Sequence, residues 1–150
     1  MGCLAGVPDR GRIIVVNFEL GGGAHIPPEM KKSHRPCIVI QNNKLARGRL
    51  VTVVPLSTTA PAIRMPYHHL MDHRSFRELP TCYGEKDMPR WAKCDYVISV
   101  SLDRCVDPSH RNPYQSRKYV KVKIILADLT AIEKAVLWGL GIDPRNHVTV

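Results

Sequence analysis

The sequence predicts a mainly β domain: a small barrel or curled sheet with one helix packed across it. Three observations carry this. Short β-branched runs recur between Gly, Pro and Asn. One stretch near the C-terminus has helical spacing instead. The 150 residues, 44% hydrophobic, suffice for a single core. The chain 1–150 is read as one domain with its core at about 11–141.

RIIVVNF (Arg12–Phe18), PCIVIQ (Pro36–Gln41) and LVTVVPL (Leu50–Leu56) read as strands with at least one buried face. Residues 19–34 hold three glycines and two prolines, the composition of a long loop. Ala60 to Arg90, with four prolines, reads as a second irregular stretch, broken at most by a short strand near Pro66–Leu70. CDYVISVSL (Cys94–Leu102) is the next strand, and YVKVKII (Tyr119–Ile125) alternates apolar residues with Lys as an edge strand does. Leu129, Ile132, Ala135, Val136, Gly139 and Leu140 then follow helical spacing. Thr130 and Glu133 match a capping box, and Gly141 with Pro144 ends the helix.

Charge narrows the partners. With 22 Lys+Arg against 13 Asp+Glu, the formal net charge is +9 and the pI near 9.6, which favours a polyanion. Nucleic acid leads, ahead of an acidic protein or an anionic membrane surface. The opening MGCLAGVPDRGR has no apolar signal core and, with Gly at position 6, departs from the myristoylation pattern. No run reaches the ~18 apolar residues of a membrane helix, so no membrane association is expected. Five cysteines without a CxxC pair suit a reducing compartment. A cytoplasmic protein is expected.

Several chemistries find no support. His68, His69, His73, Cys82, Cys94, Cys105 and His110 lack the paired spacing of a zinc site, so no metal or other cofactor is expected. Gly21–Gly23 lacks the Lys-Ser/Thr of a phosphate loop, and no GxSxG elbow occurs. Polar residues at strand ends remain: His25, Arg35, Ser57-Thr58-Thr59, Lys93 and Asp95. Singly, each has a plain structural reading as a surface cation, a hydroxyl-capped turn or a strand-start cap. Together they are an arginine, hydroxyls, an imidazole and a carboxylate, groups that can bind a phosphodiester and move its protons.

GRIIVVNF, a glycine-containing loop, HRPCIVI, VTVVPLSTTAP, WAKCDYVISVSLDR and a final VLWGLG follow one another between Gly11 and Gly141. In order and spacing they resemble the PemK/MazF family of toxin endoribonucleases. The resemblance implies an SH3-like β-barrel of the CcdB-like type with a C-terminal helix. It also implies a homodimer that cleaves single-stranded RNA without a metal, silenced by a small acidic antitoxin protein. Arg35 matches the arginine of the family's Arg-Pro step, which contacts the scissile phosphate. Ser57 falls where many members carry a catalytic Thr. Lys93-Cys94-Asp95 matches a segment that reads Arg-Cys-Asp in one branch, and His25 matches a loop histidine of that branch. Lys93 replaces a planar fork with a point charge.

The implied reaction is attack of a ribose 2′-hydroxyl on its own phosphate, giving a 2′,3′-cyclic phosphate and a 5′-hydroxyl. Lys31, Lys32, His34, Thr58, Thr59 and Arg64 are the candidate RNA contacts around these groups. Symmetric pairing through the YVKVKII edge and the apolar helix face would join two basic faces into one groove; alternatively Ile132, Val136 and Leu140 pack on their own barrel. The alternative is a barrel that binds nucleic acid or an acidic protein without cleaving it.

Overall fold

A computed structural model describes residues 4–19, 32–42, 44, 48–110 and 117–146. Three antiparallel strands form its centre: β1 (Arg12–Val16), β2 (Arg35–Val39) and β3 (Leu50–Ser57). β4 (His68–Leu70), β5 (Trp91–Lys93), β6 (Ile98–Ser101), β7 (Cys105–Val106), β8 (Ser109–His110), β9 (Lys118–Tyr119) and β10 (Val122–Lys123) follow, and α1 spans Leu126–Gly139.

Both outer strands of the centre divide their free edge between two partners. β3 pairs with β6 through Leu50–Val53 and with β5 through Leu56–Ser57. β1 pairs with β10 at Arg12–Ile13 and with β7 at Val15–Val16. The chain passes from β6 to β7 through one 3-10 turn, Leu102–Arg104. Laid flat, those two strands would be four spacings apart, about 19 Å. Four Cα steps reach about 14 Å at most. The sheet must therefore curl.

Curling gives it two buried faces, and strand alternation sorts residues between them. Ile14, Val16, Cys37, Val39, Val51, Val53, Val100, Leu102 and Cys105 form one core inside the curl. Ile13, Ile38, Val54, Leu56 and Ala92 meet Ile132 and Ala135 of α1 in the other. Near-continuous apolar runs such as RIIVV and VTVV are the sequence counterpart of a strand covered on both sides.

Four expectations need correction, and one open alternative is decided. Cys94–Leu102 is not one strand: β5 ends at Lys93, a turn follows, and β6 opens at Ile98, because the two segments serve different halves of β3. Tyr119–Ile125 is likewise divided, β9 pairing with β8 and β10 with β1. The helix begins at Leu126, ahead of the Thr130–Glu133 pair, and Ile125 at its N-cap offers no side-chain cap. Glu133 instead pairs with Arg10 at 2.5 Å. Gly141 at φ +77° does end the helix, a conformation that favours glycine. The 60–90 stretch is more ordered than its prolines suggest, with β4, two 3-10 turns and Met71, Phe76 and Leu79 in the helix-side core. Finally, the apolar face of α1 is covered by its own sheet: Ile132 and Ala135 are buried and Val136 packs beside them, whereas Leu140 is exposed. That face is not left for a partner.

Most of the 19–34 loop lies outside the described residues, including His25 and Lys31. No helix among the described residues is long and apolar enough to cross a membrane.

Candidate functional site

Arg35 opens β2 opposite Val16, on the side of the sheet that faces the inner core. The β2–β3 register pairs Cys37 with Pro55. Continued by two residues, it brings Ser57 opposite Arg35. Directly opposed residues share a face, so the arginine and the hydroxyl stand together where the apolar lining of the curl ends.

Arg35 is only 6% exposed. Its Nη1 donates to the Leu56 carbonyl at 3.0 Å, which holds the guanidinium against the end of β3. Burial lowers its pKa, opposed by its neighbours Cys37 and Tyr96, but arginine stays charged at any physiological pH. Pro36 follows with a fixed φ. The outcome is a positively charged fork, rigidly mounted in a largely desolvated setting, where attraction for an anion is stronger than at an open surface.

A cavity of about 440 Å³ opens above it. Lys32, His34, Arg35, Ser57 and Thr58 line it, joined by Glu19, Ser33, Cys82 and Tyr83. Lys32 is fixed through its carbonyl, which accepts from the Phe18 amide at 2.9 Å. The Ser33 hydroxyl lies 2.7 Å from His34 Nδ1. Ser57 Oγ accepts from the Thr59 amide at 3.2 Å. The hydroxyl-capped turn that the plain reading anticipated is thus present, and it presents Ser57 and Thr58 to the cavity. Thr59 is exposed and outside the lining.

The remaining candidates are placed differently. Trp91 pairs with Ser57, and the Arg64 guanidinium sits 5.2 Å from the Trp91 ring. Arg64 is therefore held by a cation–π contact, and it does not line the cavity. Lys93, two residues beyond Trp91 and on its face of β5, pairs with His68. Asp95 is exposed in the turn after β5, packed by its backbone against Gly139 of α1. Neither Lys93 nor Asp95 lines the cavity.

Sequence reasoning missed Glu19, Cys82 and Tyr83. It also missed an adjoining cleft of about 210 Å³ that shares Ser33, His34 and Tyr83 with the first and adds Arg104 and Arg117. Nothing in local spacing announces residues brought together from four separate segments. Among the described residues, no group of three His, Cys, Asp or Glu is placed to hold a metal ion. His69 instead contacts the buried Asp128 at 2.8 Å.

Residues 9–130 match the family described as the PemK-like, MazF-like toxin of type II toxin-antitoxin systems. No curated protein matches the chain. Among solved structures, an endoribonuclease in complex with its cognate antitoxin from Mycobacterial species superposes with a TM-score of 0.56 at 20% identity, over 90% of this chain and 96% of that one. A second endoribonuclease from Mycobacterial species gives 0.54 at 18%, over 91% and 93%. MazE-MazF from Deinococcus radiodurans gives 0.51 at 14%, over 91% and 98%. At such identities the likeness is one of fold.

Proposed function

The chain belongs to the PemK-like, MazF-like toxin family of type II toxin-antitoxin systems, and from that premise we propose that it cleaves single-stranded RNA without a metal. The observation that carries the reading is the buried Arg35 fork beside the Ser57 and Thr58 hydroxyls, at one wall of a cavity edged by Lys32 and His34. A phosphodiester seated there would place two oxygens against the guanidinium. Attack of the 2′-oxygen on phosphorus forms one P–O bond as the bond to the 5′-oxygen breaks. Arg35 and Ser57 would steady the charge that builds on the non-bridging oxygens.

One proton leaves the 2′-hydroxyl and one must reach the departing 5′-oxygen. The resemblance of the sequence to the family implies these roles for His25, Lys93 and Asp95. His34 is the imidazole that lines the cavity among the described residues, and we add it as a proton-transfer candidate. A small acidic antitoxin would compete for the same basic face, consistent with the net charge of +9. A homodimer would lengthen that face.

One observation favours the binding-only reading: Lys93 and Asp95 stand outside the cavity. The deciding experiment incubates purified chain with single-stranded RNA in excess chelator. Cleavage that Arg35→Ala abolishes supports the nuclease. Retained RNA binding with no cleavage supports the binding module instead.

A further inference from the structure

We propose that the cleft between Arg104 and Arg117 is a second phosphate subsite, that it receives the backbone of a nucleotide flanking the one cleaved, and that Tyr83 is the partition over which the strand crosses. This rests on the RNA reading above and extends it to residues that no family match assigns. The two cavities are continuous in their walls, since Ser33, His34 and Tyr83 line both. A chain leaving the Arg35 cavity on that side must pass this shared ridge.

The second cleft is built for an anion. Arg104 is half-buried just ahead of β7, and its carbonyl accepts from the Asn17 amide at 2.9 Å, tying it to the end of β1. Arg117 is exposed and lines the same cleft. Among the described residues neither is paired with a carboxylate. Asp103, which also lines this cleft, is engaged by Arg49 at 2.7 Å. Two cations that no described carboxylate pairs with, both lining one narrow space, are the arrangement that a phosphate stabilises.

Tyr83 is held firmly enough to act as a wall. Its Oη accepts from the Ser109 amide at 3.1 Å. Gly84 follows at φ +124°, and the next two carbonyls are gripped by Arg90, whose Nη2 donates to Gly84 at 3.0 Å and to Glu85 at 3.2 Å. Arg90 in turn lies 4.5 Å from the Phe76 ring. A fixed aromatic between two cationic sites suits a single strand, because bases stack on it while phosphates are held on either side. The 60–90 stretch thereby gains a role in substrate binding, since it carries the partition.

The test measures affinity for 2′-O-methyl single-stranded RNA, which binds but lacks the attacking hydroxyl, at lengths from about two to about eight nucleotides and over a range of salt. Wild type should gain affinity with length. Arg117→Ala and Arg104→Ala should each reduce that gain and flatten the slope of log affinity against log salt by about 0.7, the value for one single-strand phosphate contact. Tyr83→Leu should weaken the longer oligonucleotides roughly ten-fold and Tyr83→Phe far less. Arg117 is exposed, so its variant decides the matter even where Arg104→Ala fails to fold. Wild-type length gain and salt slope in folded Arg117→Ala would overturn the subsite. Cleavage of unmodified RNA is scored separately: its absence in wild type would remove the nuclease reading and leave the subsite to stand or fall on the binding data.

Discussion

Arg35 is the residue on which the chemistry turns. Its guanidinium is buried by the strands that position it, so its loss removes a charge that solvent cannot replace. Arg35→Ala should reduce cleavage by roughly 10²-fold or more, while circular dichroism stays that of wild type. Arg35→Lys, which keeps the charge but not the fork, should fall between the two. Ser57→Thr should retain activity and Ser57→Ala should lose most of it, measured as single-turnover rates. Thiol chemistry checks the placement independently. Cys37, Cys94 and Cys105 are buried, and burial pushes the Cys94 thiol up to about 12, so these should resist alkylation in the native state while Cys82 reacts. Arg35 and Ser57 were legible in the sequence because each sits at a strand end marked by its own motif, the Arg-Pro step and the run closing β3. Tyr83, Arg104 and Arg117 were not, because they come from separate segments that only the folded chain brings to one cleft.

Elements hold that geometry in place, and α1 is the clearest case. Its first turn buries Asp128, which accepts from the Ser75 hydroxyl at 2.5 Å, from the Asp72 amide at 3.1 and 3.2 Å and lies beside His69. Ser75 Oγ accepts in turn from the Ile125 amide at 3.0 Å. Ser75 thus takes up the amide of the residue ahead of the helix, and the cluster ties the 60–90 stretch to the helix. Asp128→Ala strands several buried donors and should cost about 2–4 kcal/mol in denaturant unfolding, whereas Thr130→Ala should be nearly silent. At the other end a Cβ on Gly139 would meet the Cys94 carbonyl at 2.7 Å. Gly139→Ala should therefore destabilise by about 1–3 kcal/mol. Acid behaviour offers a further check. Arg74 lowers the Asp72 carboxyl from 3.8 to about 2. That contribution is present above pH 3.8 and lost as pH falls through about 2, so the stability gap between wild type and Asp72→Asn should close over that interval. The helical period was readable but its start was not, since the buried Asp128 carboxylate of the first turn is satisfied by residues more than 50 positions away.

At the scale of the whole molecule, composition and strand punctuation conveyed a mainly β fold with one terminal helix. They did not convey partner-switching. β3 serves β6 and β5, and β1 serves β7 and β10, so runs such as Cys94–Leu102 looked continuous although their pairing is divided. That switching curls the sheet and sets Arg35, Ser57, Tyr83 and Arg104 around one mouth. The chain carries a formal net charge of +9, and RNA affinity should fall steeply with salt because releasing condensed counterions gains less entropy as salt rises. The most direct measurement uses a defined single-stranded RNA, mapped for its cut site in chelator, and a copy carrying one 2′-deoxy sugar at the nucleotide before the cut. The all-ribose strand should be cleaved to a 2′,3′-cyclic phosphate and a 5′-hydroxyl, and the deoxy-substituted strand should stay intact. Equal cleavage of both strands, or cleavage only when Mg²⁺ is restored, would overturn metal-independent attack by the 2′-hydroxyl.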